Sequence, residues 1–466
     1  MLLDTRFDLT RSTLLAIVAV AAVLRVLAAM DTFSLDEIWT YYLVRDAEGP
    51  WHIIAGLPHT NNHILNSLFV RLMGEQPHWI AYRLLSLITG TATIWLIGFI
   101  AADYGVPARF FTMGLATISL PLVLYSAEAR GYAPLLCFSL FAYLNSPERV
   151  DDPSVRQIAT FWIASLLALL SHLTFAIVLA GLGLSWLIAR LRSKTSAFAM
   201  LREGTTYFAV PVAICVLLLV HIYSNVRPET GGQMHPLVAA TEMALLSLGI
   251  DTSGIFEWLG SGAALLLLLG GLWLAGKRMT NLLLIMIVVP AAIFTVIDAP
   301  YVFPRYFLVL VPFFLLTVSI SLQYLWDRAV PYRVLALGIF ATAVIGAATQ
   351  LTELYQYGKG DYPAAIAQIF SVADGRPFTV GSDHDFRNRA LLEFYTRYEP
   401  AARQMTYVNK SSLLSNPPNF YIKHSFEKSA KAPPHIALGE SAVYEIIGEY
   451  PFSGHSGWNW WIYRKF

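Results

Sequence analysis

The sequence predicts a polytopic α-helical membrane protein of about eleven transmembrane helices with a small C-terminal soluble α/β domain. Three observations predict it. Of 466 residues, 56% are hydrophobic and only 14% charged, where soluble proteins average roughly 45–50% and about 25%. The apolar residues gather into eleven runs, each near the about 20 residues that a helix needs to cross a bilayer in which no water can satisfy its backbone. After Gln350 the composition turns polar.

The runs fall near 12–30, 80–101, 108–125, 132–146, 157–172, 173–190, 205–223, 257–276, 280–297, 304–323 and 332–350. The first is too long and too weakly basic in front for a cleaved signal peptide, and no small-residue cleavage site follows it, so it reads as an anchor. Two apolar stretches are too short to span and read as interfacial or juxtamembrane helices: 63–74, which contains Arg71, and 236–250. With a cytoplasmic N-terminus, thirteen Lys and Arg residues lie in inside segments and six in outside segments before residue 351. That bias sets the N-terminus inside and the C-terminus outside. It makes 1–350 a membrane domain with its first outside loop at 31–79. Residues 351–466 carry twelve basic and eleven acidic residues. Strand patterns at 377–381, 405–408, 419–423, 442–447 and 458–463 surround helical patterns at 361–373 and 386–398, which reads as an extracytoplasmic α/β module.

The two cysteines, Cys137 and Cys215, sit inside apolar runs, so neither a disulfide framework nor a thiolate metal site is available. A net charge of +1 argues against nucleic acid as a partner. What remains is a set of polar clusters that the topology gathers on the outer face, where ionisable groups at membrane depth mark a substrate or ion pathway.

Ser34-Leu35-Asp36-Glu37 follows the first run. Ser34 with Glu37 three positions on is a capping box; equally, Asp36 and Glu37 are paired carboxylates, one able to take a proton from a hydroxyl and the other to support a cation. Pro58-His59-Thr60-Asn61-Asn62-His63 places two histidines four apart, a spacing that shares a helix face and suits a metal, although hydrogen-bonding roles are the commoner use. In Tyr125 to Tyr132, Glu128 and Arg130 can pair with each other, or Glu128 can serve a site while Arg130 binds an anion. Asp298 to Tyr306 contains Arg305, and Arg83 opens the second run. Both can be snorkelling anchors; both can also bind phosphate, whose oxygens match the guanidinium fork.

Leu35-Asp36-Glu37, Asn61-Asn62-His63-Ile64-Leu65-Asn66, Tyr82-Arg83-Leu84-Leu85-Ser86, Tyr125-Ser126-Ala127-Glu128-Ala129-Arg130-Gly131-Tyr132 and Arg305-Tyr306, in this order, resemble the GT-C superfamily of membrane glycosyltransferases. The likeness is to the branch of protein O-mannosyltransferases and bacterial aminoarabinose transferases that use polyprenyl-phosphate sugars. The resemblance implies Asp36 as catalytic base with Glu128 as second acid. It implies Arg83, Arg130, Arg305, Tyr306 and Asn62 at the substrate and its phosphate. A divalent cation, Mg²⁺ or Mn²⁺ with zinc admissible, would fall to Glu37, His59 and His63.

The implied reaction is one inverting displacement, moving a hexosyl or pentosyl group from a polyprenyl phosphate or diphosphate to a hydroxyl. The acceptor, a glycan, a lipid or a protein, would stand at the outer face of the inner (plasma) membrane, as in cell-envelope polysaccharide assembly. His235, in the loop after the seventh run, shares that side of the membrane. The competing reading is a transporter or flippase for a lipid-linked sugar or anionic lipid, against which the chain shows no inverted repeat.

Overall fold

The structure is a computed structural model. It describes residues 10–57, 59, 61–76, 78–149, 153–225, 234–252, 254–297, 302–439 and 442–466. Pro58, Thr60 and Asp298 to Tyr301 of the sequence clusters, and Arg6 and Arg227 of the charge count, lie outside the described residues.

Two compact units make up the chain: 1–26 with 43–350, and 27–42 with 351–466. In the first, all eleven apolar runs are helical, but they are not all full spans. Among the described residues eight helices are long and apolar enough to cross a membrane, and a ninth span is possible if a bent pair counts as one. The other two runs form the helices Tyr132–Leu144 and Val155–Ser171, of 13 and 17 residues, so the expectation of eleven full-length spans is corrected. Gly131 and Asn145 bound the former, and His172, in extended backbone, ends the latter. Hydropathy averaged over a run does not register where capping backbone cuts the helix short. The short stretches at 63–74 and 236–250 form the helices Ile64–Met73 and Pro236–Ser247, of 10 and 12 residues.

The bent pair is Val106–Ile118 with Leu120–Ser126, at 56°. Pro121 lacks the N–H a continuing helix would need, and Ser119 turns to extended backbone (φ −54°, ψ 117°). The break strips carbonyls at the end of the first half of their helical donors. Arg25, fully buried in the helix Arg11–Ala29, supplies replacements. Its guanidinium donates to Ala116 O at 3.3 Å, Thr117 O at 3.4 Å and Ala21 O at 3.0 Å.

Around this break the helices share one apolar core, with Phe111, Tyr143, Phe161, Phe175 and Phe313 among its fully buried rings. Tyr132–Leu144 packs against both Ile80–Ala101 and Val155–Ser171. Charge is confined to opposite ends of these helices. At one end Asp103 pairs with Arg149 (2.8 Å) and with Arg278. At the other lie Arg83 at the start of Ile80–Ala101 and Arg130 just before Tyr132–Leu144.

The second unit is built on a six-stranded sheet: β1 (Phe378–Ser382), β2 (Met405–Val408), β3 (Phe420–Ser425), β4 (His435–Leu438), β5 (Ala442–Tyr450) and β6 (Asn459–Lys465). Their order is β2-β1-β3-β6-β5-β4. The first three run parallel, Val380 registering with Tyr407 and with Phe420, and the remaining pairs are antiparallel. Two helices accompany the sheet, Tyr362–Ala373 and Asp385–Thr396. Five strands match the sequence patterns; β4 does not, being four residues flanked by prolines and a glycine.

If Arg25 caps the broken helix, Arg25→Leu should unfold at a lower temperature in detergent, because each buried carbonyl left without a donor costs about 1–3 kcal/mol. Arg25→Lys, which offers one point donor for a planar fork, should recover part of the loss. An unchanged melting temperature for Arg25→Leu would contradict the capping role.

Candidate functional site

In the membrane unit the site is assembled by close backbone approach. Gly131 closes the loop between the helices Leu120–Ser126 and Tyr132–Leu144. A Cβ at this position would run into the carbonyl of Ser171 and the Cβ of His63. Glycine therefore lets three segments meet: the loop 127–131, the residues before Ile64–Met73, and the end of Val155–Ser171.

Imidazoles and phenols fill the junction. The rings of His63 and His172 stack at 5.2 Å, and Tyr132 stands 5.3 Å from the first and 5.1 Å from the second. Tyr125 lies 4.8 Å from Tyr132, and Tyr306 lies 6.4 Å from His172. His63 Nδ1 is 3.1 Å from Ser171 O, while its Nε2 is buried without a hydrogen-bond partner among the described residues.

Guanidinium groups border this floor. Arg130 lies over the Tyr132 ring at 4.8 Å, reaches Asn61 Oδ1 at 3.4 Å and stands 3.8 Å from the Glu128 carboxylate. Glu128 and Arg130 are both buried. Their backbone is pinned as well: Asn66 donates to Ala129 O at 2.6 Å and Ser86 to Arg130 O at 3.1 Å. Arg83, one turn before Ser86, is fully buried. It is not a snorkelling anchor, because a snorkelling head reaches water. Arg305, over the Phe303 ring at 4.6 Å, adds its charge to that of Arg130 at both histidines.

Desolvation, then the charge of Arg130, holds both imidazoles neutral. His63 is driven well below its usual range and His172 is lowered to about 3. Two neutral rings can each accept one hydrogen bond and donate another, while the arginines carry the positive charge.

Other candidates take different places. Asn62 uses its amide to hold the turn at 52–57, donating to Ile53 O (2.7 Å) and Leu57 O (3.0 Å); its Oδ1 is buried without a partner among the described residues. His59 Nδ1 accepts from Asn61 N at 3.0 Å. The helix begins at Ile64, so His59 and His63 do not share a helix face; the chain turns instead at Asn61 to His63. His235 caps Pro236–Ser247 by accepting from Leu237 N at 3.2 Å.

Asp36 and Glu37 belong to the second unit. They form the first turn of the helix Leu35–Arg45. The glutamate half of the capping box is made: Ser34 N donates to Glu37 Oε2 at 2.8 Å, while the Ser34 hydroxyl has no partner among the described residues. Glu37 is fully buried and stands 3.9 Å from Lys359 Nζ, whereas Asp36 is only half-buried. The cap thus occupies Glu37 and leaves the Asp36 side chain nearer solvent. Among the described residues no three His, Cys, Asp or Glu side chains form a group that could hold a metal ion.

Two participants escaped the sequence reading. His172 lay at the seam of two abutting apolar runs, where a Ser-His pair is itself the sign of a turn. Lys359 stands in Gly358-Lys359-Gly360, just after the helix Val330–Tyr357.

Apolar helices gathered on this buried cluster, with a small α/β domain following the helix Val330–Tyr357, make up the fold. Two crystal structures of ArnT from Cupriavidus metallidurans share it. The one bound to undecaprenyl phosphate is 15% identical, with a TM-score of 0.51 over 97% of this chain and 98% of that chain. The apo state is 14% identical, with a TM-score of 0.51 over 96% and 97%. No family model matches the chain, and no curated protein matches it.

The neutral histidines set a pH dependence. In the unfolded chain they bind protons below about pH 6.5, while the folded protein binds them only at lower pH. Stability is thus present above about pH 6.5 and is lost as pH falls toward the folded values, by up to about 1.4 kcal/mol per pH unit for each histidine. The melting temperature in detergent should fall between pH 7 and 5, and less steeply for His172→Gln. Equal slopes for both proteins would refute the assignment of His172.

Proposed function

We propose that the chain is a membrane glycosyltransferase that moves a sugar from a polyprenyl-phosphate donor to an acceptor hydroxyl. The observation that carries this reading is the meeting of Arg130 and Arg305 with the neutral His63 and His172 over Tyr132 and Tyr306. A phosphate suits that setting: guanidinium forks offer paired donors, and the neutral His172, whose Nδ1 accepts from Thr174 N, keeps its Nε2–H as a further one without competing charge. The undecaprenyl phosphate in the ArnT crystal structure supports a lipid of this class as the partner.

In the proposed reaction the acceptor oxygen attacks the anomeric carbon as the bond from that carbon to the phosphate oxygen breaks. The electron pair leaves on the phosphate, where Arg130 and Arg305, with Arg83 behind Ser86, offset the developing charge. Asp36 takes the acceptor proton. Glu128, held against Arg130, keeps that guanidinium oriented and serves as the second acid. A direct displacement inverts the sugar. The basic bias of the loops favours a plasma-membrane protein that presents this chemistry on the outer side.

Two variants separate the roles. With lipid-linked sugars extracted from the producing cells as donor, Asp36→Asn should lower transfer by about 10²–10⁴-fold and leave affinity for undecaprenyl phosphate unchanged. Arg305→Gln should weaken undecaprenyl phosphate binding. Full transfer by Asp36→Asn would overturn the base assignment, and undiminished lipid binding by Arg305→Gln the phosphate assignment.

A further inference from the structure

We propose that Lys359 is the positioning residue for Asp36, and that the C-terminal domain holds the acid-bearing segment 31–42 in register through it. This rests on the reading of Asp36 as the base.

The segment is gripped at successive residues. After the helix Val330–Tyr357, Gly358 takes φ 55°, and a Cβ there would collide with the Asp31 carboxylate. The chain turns tightly around Asp31 as a result: Lys359 N donates to Asp31 Oδ2 at 3.0 Å, and Thr32 Oγ1 donates to Gly360 O at 3.0 Å. Phe33 is held on both backbone groups by one side chain, its N–H donating to Tyr395 Oη at 2.7 Å and its carbonyl accepting from the same hydroxyl at 2.8 Å. The Phe33 ring stacks on Phe394 at 5.5 Å. Further on, Trp39 stacks on Phe386 at 4.9 Å, and Arg397 lies 5.6 Å from the Tyr41 ring.

At the centre is Lys359 Nζ, 1% exposed, 3.9 Å from Asp31 Oδ2 and 3.9 Å from Glu37 Oε2. That same Glu37 oxygen accepts the Ser34 N–H that starts the helix. One buried ammonium therefore neutralises the glutamate that caps the helix and ties it to the aspartate at the entrance of the segment. Asp36 is the residue next to Glu37, in the turn so capped, with its carbonyl accepting from Thr40 Oγ1 at 3.0 Å. Without the Lys359 charge, the buried Glu37 and the part-buried Asp31 lose the cation they share, and the cap of the first turn is weakened. Asp36 then loses its fixed direction, and a shift of about 1 Å in a reacting group costs about 10²-fold in rate.

The test uses the full-length protein in nanodiscs. Lys359→Met should raise amide hydrogen exchange over 31–42 at least tenfold and leave the helices of the membrane unit unchanged. With lipid-linked sugars extracted from the producing cells, kcat should fall by about 10–100-fold, with the apparent donor KM and the affinity for undecaprenyl phosphate unchanged. Lys359→Arg should restore most of kcat, and the double variant Lys359→Met/Glu37→Gln, which removes both buried charges, part of it. Should Lys359→Met fail to fold, the double variant carries the same comparison. Exchange over 31–42 at the wild-type level, exchange raised along the whole chain, or a loss confined to KM each overturns the proposal. If the wild type transfers no sugar, the base reading fails while the exchange result still decides whether Lys359 holds the segment.

Discussion

A guanidinium inside an apolar helical bundle must be given acceptors, and much of this structure follows from three arginines buried there. Arg25, Arg83 and Arg130 are 0%, 0% and 3% exposed. Burying such a group unpaired would cost far more than any one packing contact returns. The chain meets the requirement for Arg25 by breaking a helix beside it, so that carbonyls freed at Ala116 and Thr117 face the cation. For Arg130 it supplies the Glu128 carboxylate, the Asn61 amide oxygen and the face of Tyr132. The two solutions are linked in sequence. The half-helix that follows the break, Leu120–Ser126, delivers the chain into the loop 127–131 that carries Glu128 and Arg130.

That loop can sit where it does only because residue 131 is glycine. With the backbone of Gly131 against Ser171, the histidines on either side come into stacking contact and lose water. Their neutrality is a consequence of the same packing, reinforced by the arginine charges. Cationic groups that cannot deprotonate stand beside rings kept uncharged, an arrangement suited to an anion that must be held while its charge increases.

The sequence made some of this legible and hid the rest for physical reasons. Long apolar runs declare themselves because every backbone group in lipid must be satisfied within a helix, and the eleven runs are all helical. Their lengths were less visible: Tyr132–Leu144, bounded by Gly131 and Asn145, has only 13 residues, fewer than a full span needs. The motif 125–132 was recognisable as polar residues between apolar runs, yet its partner His172 was hidden because the two runs abut there, with only the Ser171-His172 pair to mark the turn. Spacing alone put His59 and His63 on one helix face; the helix starting at Ile64 removes that geometry. Glu37 was legible as half of a cap, but its ion pair with Lys359 joins residues 322 positions apart in sequence, which no local pattern encodes. The membership of 27–42 in a unit with 351–466 is a fact of tertiary packing for the same reason.

The central claim is that Arg130 and Arg305 receive the phosphate of a polyprenyl lipid. Electron cryomicroscopy of the full-length protein in nanodiscs with undecaprenyl phosphate tests it most directly. The account predicts phosphate density within hydrogen-bonding distance of both guanidinium groups, bordered by His63, His172 and Tyr306. Lipid phosphate bound elsewhere, with Arg130 and Arg305 still engaged only by protein groups, would contradict it.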